Sequence, residues 1–175
     1  MIQADLPDLE ESFKQQLIKI SKDVATDKNA IQRRLQHCIR LDRKDVVQSD
    51  YTYLDDYQSY LDNIFAERVG EKLTYYLIVM KNVLGKTSIF PKHRDEIRLS
   101  GLNYYLELGG NDVITNFYLP DIVPFKAEKN KWYIFNACKE HEIVSISSTR
   151  IILGMDLESQ PSYEELKRRL QVTSL

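Results

Sequence analysis

From Leu73 onward the chain is a succession of short β-type runs, and this limits its possible folds more than any other feature. Leu73-Thr74-Tyr75-Tyr76-Leu77-Ile78-Val79-Met80 is β-branched and aromatic, long enough for a buried strand. Asn82 to Gly85 reads as a turn, and Thr87-Ser88-Ile89-Phe90 begins the next strand. Further strands are expected over Leu99–Leu108, Val113–Tyr118, Lys131–Asn136, Glu142–Ser147 and Thr149–Met155, with Gly109-Gly110-Asn111-Asp112 as a hairpin turn. Strands of this length and spacing imply a sandwich or jelly roll, an architecture whose open mouth suits a ligand site.

Helical patterns flank this core. Leu9, Phe13, Leu17 and Ile20 recur at helical spacing up to about Val24, with Asp8 and Glu11 placed as a capping box. A second helix is expected from Lys28 to Leu41, carrying Ile31, Leu35 and Ile39 inward and His37 on a surface or partly buried position. Asp42 to Asp50 is polar and reads as loop. Tyr53, Tyr57, Tyr60, Leu61, Ile64 and Phe65 then predict a third helix that stops at Gly70, a natural residue just past a helix end. Its tyrosines suit packing on a sheet better than base stacking. Ser162-Tyr163-Glu164-Glu165 opens a short C-terminal helix through Leu166 and Leu170, with Lys167-Arg168-Arg169 as its solvated face. With 175 residues, one domain is expected: residues 1–70 mainly helical support, 71–157 the strand core, 161–171 the final helix.

The chemistry-bearing residues are few. The chain has three histidines, His37, His93 and His141. In Pro91-Lys92-His93-Arg94-Asp95 an imidazole and a carboxylate stand one residue apart, and on a strand positions i and i+2 share a face. One further imidazole would complete the two-histidine, one-carboxylate triad that leaves coordination positions open on non-haem iron(II). His141 lies on a later predicted strand. Arg150 follows on the next, inside the apolar run Ile151-Ile152-Leu153, where an inward-facing guanidinium needs an acidic partner and a bound dicarboxylate would serve; an outward-facing arginine, or one paired with a protein carboxylate, is the alternative.

His-x-Asp, a distal His on a late strand and a basic residue shortly after it, in that order, resemble the Fe(II)- and 2-oxoglutarate-dependent dioxygenases. Gly109-Gly110 ahead of Thr115-Asn116-Phe117-Tyr118 looks like the Gly-Gly-x-Thr-x-Phe segment of the prolyl-hydroxylase branch, with residues inserted after the glycines. Lys131-Trp132-Tyr133-Ile134-Phe135-Asn136 looks like the strand that leads into the distal histidine. An aspartyl-hydroxylase-like branch is the alternative. The resemblance spans Leu84 to Leu157. It implies an α+β chain built on a double-stranded β-helix, the cupin-like jelly roll, with N-terminal buttressing helices. It implies Fe(II) held by His93, Asp95 and His141, and 2-oxoglutarate as co-substrate with its distal carboxylate on Arg150. Tyr105, Asn103 and Thr115 are candidates for orienting the oxoacid. The implied activity is hydroxylation of a small molecule or peptide side chain, with release of succinate and CO2. Ile152, two residues past Arg150, departs from the small polar residue common in the family, and the insertion before Thr115 loosens that correspondence.

Two other readings compete at this stage. A cupin-like metal-binding protein would use the same barrel without 2-oxoglutarate and would not need Arg150. A non-catalytic jelly-roll binding module would need none of the four residues. Lys plus Arg total 24 against 26 Asp plus Glu, with the signs interspersed, so a nucleic-acid footprint is not expected. The two cysteines, Cys38 and Cys138, form no staple pattern and are expected to be reduced thiols of a cytoplasmic protein. Met1-Ile2-Gln3-Ala4-Asp5 lacks the basic start and apolar core of a signal peptide, and no apolar run is long enough to span a bilayer, so no membrane partner is expected. The sequence leaves the oligomeric state open. Arg98, three residues after Asp95, is open between a substrate contact and pairing with Glu96 or Glu107.

Overall fold

In a computed structural model, which describes residues 1–26, 47–81, 88–95 and 98–170, the strands form two antiparallel sheets. The strands are β1 (Ile2–Gln3), β2 (Val47–Tyr53), β3 (Leu73–Lys81), β4 (Ser88–His93), β5 (Ser100–Leu108), β6 (Ile114–Leu119), β7 (Asp121–Phe125), β8 (Trp132–Asn136), β9 (His141–Ile146) and β10 (Arg150–Leu157). The helices are α1 (Glu11–Thr26), α2 (Gln58–Val69) and α3 (Tyr163–Arg169). The major sheet runs β1-β8-β5-β10-β3-β2, the minor sheet β4-β9-β6-β7. This is a jelly-roll double-stranded β-helix with small helices, one of the two architectures open to the strand pattern and the one that the resemblance implies.

Side-chain alternation divides the major sheet into two faces. Leu73, Tyr75 and Leu77 of β3, Leu102, Tyr104 and Leu106 of β5, Trp132 and Ile134 of β8, and Ile151, Leu153 and Met155 of β10 pack with Leu17 of α1, Leu61 and Phe65 of α2 and Leu166 of α3. The helices thus cover one face. The other face contributes Tyr76, Ile78, Met80, Tyr105, Tyr133 and Ile152, which meet Phe90, Ile143 and Ile146 of the minor sheet. A further small cluster, Phe117, Phe135 and Ala137, continues this interior. Burying each of these large apolar side chains stabilises the fold by about 1.5–3 kcal/mol.

Several sequence expectations shift. Val47–Asp50 belongs to the edge strand β2 rather than to a loop, since pairing with β3 supplies the hydrogen bonds that its polar composition conceals. Tyr53 ends that strand, and helix α2 starts only at Gln58, after a 3-10 turn over Asp55–Tyr57; its stop at Gly70 is as expected, with φ of 78°. β1 and β7 were not anticipated; β7 carries Pro124, which an edge strand tolerates. Gly109 and Gly110 make a positive-φ turn, but it is no hairpin: β5 and β6 lie in different sheets. The Asp8 carboxylate accepts from the Leu9 N–H (2.9 Å), from Lys14 and from Tyr104, so it does not close a box with Glu11. Ser162 does cap α3, accepting from the Glu165 N–H at 3.2 Å. The helix expected over 28–41, with His37 and Cys38, lies outside the described residues. No helix among the described residues is long and apolar enough to cross a membrane.

Candidate metal centre

Two adjacent strands of the minor sheet bring the first two candidate residues together. β4 ends at His93 and β9 begins at His141, and these two residues are direct cross-strand partners. Their ring centroids lie 4.2 Å apart. Asp95 falls just beyond β4 rather than within it, and its backbone N–H donates to the Ala137 carbonyl at 3.1 Å, which fixes the turn that returns the carboxylate to the histidines. Asp95 Oδ1 stands 3.9 Å from His93 Nε2. One ligand atom from each of His93, Asp95 and His141 lies within 4.8 Å of the other two.

Hydrogen bonding sets the tautomers. His93 Nδ1 lies 2.8 Å from the Pro91 carbonyl and His141 Nδ1 lies 2.9 Å from that of Lys139. A carbonyl oxygen only accepts, so both Nδ1 atoms carry a proton, which leaves Nε2 of each ring as the atom able to bind a metal. This is the outer-shell arrangement of metal-binding histidines. Burial pushes the His141 imidazole down to about 4; the Lys139 carbonyl opposes the shift, the His93 ring adds to it, and Asp95 opposes it. His141 is therefore a neutral donor at neutral pH. Phe117 and Phe135 pack their rings on it, at 5.8 and 4.8 Å between centroids. Two imidazoles, each with Nε2 to offer, and one carboxylate, converging within 4.8 Å, fit a divalent ion of the iron(II) type.

The other sequence candidates lie on the interior side of the strands that carry them. Arg150 is the first residue of β10 and only 2% exposed. Its guanidinium lies over the Tyr105 ring, 4.9 Å from the centroid, and Nη1 donates to the Leu108 carbonyl at 3.2 Å. Nε is buried with no partner, and no carboxylate pairs with Arg150 among the described residues. Burial lowers its proton affinity, with Tyr105 acting in the opposite sense. Gly109, at φ of 86°, is what lets the turn pass: a Cβ there would sit 2.9 Å from Arg150 Cβ. Asn103 of β5 is buried, its Oδ1 has no partner among the described residues, and it registers with Gly154 and Tyr133. Tyr105 registers with Ile152, and its hydroxyl donates to Met1 Sδ at 3.9 Å. Thr115 is buried on β6, between Ile143 and Phe125 in register. An unpaired buried cation and an unpaired amide oxygen are each costly in a protein interior. They suit a bound molecule that offers both an anionic group and a hydrogen-bond donor or bridging water.

Sequence reasoning left Arg98 undecided and passed over its surroundings. Glu96 lies outside the described residues, and Glu107 pairs with Lys129 at 2.8 Å. Arg98 Nε donates to Asp95 Oδ2 at 2.8 Å and Nη1 to Asp156 Oδ1 at 3.0 Å. The i, i+3 spacing from the metal-motif aspartate was the available signal.

No protein-family model matches the sequence, and no curated protein matches it. Solved structures do. A prolyl-4-hydroxylase from Pseudomonas putida superposes with a TM-score of 0.57 at 13% identity, covering 87% of this chain and 90% of that one. A prolyl hydroxylase from Trichoplax adhaerens, in complex with a peptide from the oxygen-degradation domain of hypoxia-inducible factor, gives 0.56 at 13% identity, over 95% and 84%. The non-haem α-ketoglutarate-dependent epimerase SnoN of nogalamycin biosynthesis gives 0.53 at 12% identity, over 86% and 75%. What this chain shares with these three proteins is their fold, the double-stranded β-helix.

Proposed function

We propose that this chain is an Fe(II)- and 2-oxoglutarate-dependent oxygenase that hydroxylates a small molecule or a peptide side chain. One observation carries the reading: the barrel that gathers His93, Asp95 and His141 within 4.8 Å also buries Arg150 without an acidic partner among the described residues. A metal-only cupin has no use for that guanidinium, and a bare binding module has no use for the triad. A dicarboxylate chelating the metal at one end and reaching the guanidinium at the other answers both. Bound there, Fe(II) and 2-oxoglutarate supply the oxidising chemistry, with succinate and CO2 as by-products. The protein's part is to present two imidazoles and one carboxylate, to hold the distal carboxylate on Arg150 by charge-assisted hydrogen bonds, and to exclude water with Phe117, Phe135 and Tyr105. Asn103 and Thr115 are assigned to orienting the oxoacid. A substrate that is a peptide side chain draws support from the peptide-bound structural neighbour.

The test is an anaerobic titration of Fe(II)-loaded protein with 2-oxoglutarate, read by the metal-to-ligand charge-transfer band of the chelate. Saturable growth of the band supports the reading. Metal uptake with no band leaves the cupin alternative in its place. A screen of amino acids and peptides for stimulated 2-oxoglutarate turnover then narrows the prime substrate.

A further inference from the structure

Beside the proposed metal centre lies a charged network that the coordination chemistry has not used. Arg98 Nε occupies Oδ2 of Asp95 at 2.8 Å, while Oδ1 of the same carboxylate faces His93. The Arg98 side chain is 10% exposed and that of Asp95 18%, so water screens this pair little. The far end of the guanidinium is equally held. Nη1 donates to Asp156 Oδ1 at 3.0 Å and to the Tyr76 hydroxyl, which itself donates to Asp156 Oδ1 at 2.9 Å. The Phe135 ring lies 5.2 Å from its Cζ.

Two glycines clear the space for this arrangement. A Cβ at Gly101 would stand 2.9 Å from Arg98 Nη1 and 3.1 Å from Asp156 Oδ1. A Cβ at Gly154 would stand 2.4 Å from Tyr76 Cε2. A planar guanidinium anchored at both ends is rigid, unlike an ammonium on a flexible stem.

A carboxylate can bind a metal ion through one oxygen or through both. Resting on the metal centre proposed above, we infer that Arg98 is a positioning residue that confines Asp95 to one-oxygen ligation through Oδ1. With Oδ2 engaged, the protein supplies three donor atoms and leaves three positions of an octahedron for exogenous ligands. Those are the positions that a two-point chelating oxoacid and a third ligand require. Without Arg98 the second oxygen is released towards the ion, and one position is lost to the protein itself.

Mn(II) alone is the probe. Its affinity is read by the loss of the free-ion electron paramagnetic resonance signal, and the exchangeable water on bound Mn(II) by water-proton relaxation enhancement. Arg98→Met should bind Mn(II) no more weakly than wild type, with the relaxation enhancement down by about one third, three waters becoming two. Arg98→Lys, which keeps a cation and a donor near Oδ2, should recover most of the enhancement. Asp156→Asn loosens only the far anchor; it should move the enhancement the same way by a smaller amount, and it carries the test if Arg98→Met fails to fold. A residue that merely braces the strands would change thermal stability and leave the bound water untouched. If the wild type takes up no Mn(II), the metal centre itself falls. If it takes up Mn(II) and the variants hold the same water as wild type, or if folded Arg98→Met no longer binds the ion, the centre stands and the role given to Arg98 is overturned.

Discussion

Replacing Arg150 by methionine separates two things that a single arginine does at once. The guanidinium is buried, donates to the Leu108 carbonyl and leaves Nε without a partner among the described residues. A buried polar atom left unsatisfied costs about 1–3 kcal/mol, and exchanging a buried charge for an apolar group of similar volume commonly stabilises by about 1–4 kcal/mol. Methionine keeps much of the volume over the Tyr105 ring and adapts to the space available. We therefore expect Arg150→Met to stabilise the ligand-free protein by about 1–3 kcal/mol. At about 2–4 °C per kcal/mol for a chain of this size, the thermal midpoint should rise by a few degrees. The oxoacid should respond in the opposite direction. Losing a charge-assisted contact worth about 2–4 kcal/mol weakens 2-oxoglutarate binding by about thirty- to a thousand-fold. Fe(II) affinity should stay nearly unchanged. Calorimetric melting of the metal-free protein and the anaerobic charge-transfer titration give the two readings. A variant that melts lower than wild type and titrates like it would refute the reasoning, and Arg150 would then be a structural cation.

Three further outcomes are expected. Asp95→Ala should lose metal-dependent stabilisation, which in wild type at about a hundredfold excess of ion over Kd is about 2.7 kcal/mol, measured as the melting shift on adding and chelating the metal. Gly154→Ala should destabilise by about 1–3 kcal/mol in urea unfolding, because its Cβ would lie 2.4 Å from Tyr76 Cε2 and force that ring off the Arg98–Asp156 pair. Glu71 holds Ser159 and Arg169; burial alone would raise its pKa, but the bonds from the Ser159 hydroxyl and N–H and from Arg169 outweigh it and the net direction is down. The unfolded chain therefore takes up the proton first. The stability gap between wild type and Glu71→Gln should be full above the ordinary carboxyl value of 4.5 and shrink as pH falls below it, followed by denaturant titration across pH.

The parts of this architecture legible in the sequence are those where periodicity and chemistry coincide. β3, β5 and β10 are dense in β-branched and aromatic residues because both of their faces are buried, so their extents were readable to within two residues. β2 and β7 were not, because edge strands are polar or carry proline, and their pairing lies in the partner strand rather than in their own residues. The Gly109-Gly110 turn was recognisable as a turn, but nothing local distinguishes a hairpin from a crossing between sheets. His93, Asp95 and His141 were legible as a group because few residue types can bind a metal and only three histidines exist. Arg98 was not assigned, because its partners Asp156 and Tyr76 are remote in sequence and the space it fills depends on Gly101 and Gly154.

The direct pairing of His93 with His141 has a mechanical meaning. β4 is an outer strand of the minor sheet, its register with β9 is broken twice, and it presents Ile89 at 53% exposure. At the proposed metal centre, an ion held by both histidines would rivet the last rung of that ladder. Chelation removes the rivet and lets the ladder fray from its His93 end, offering unpaired backbone and an apolar side chain to another molecule. Metal-free preparations should therefore be the sticky ones. Light scattering should rise on adding chelator and fall again on restoring the ion, and amide exchange should quicken first along Ser88–His93.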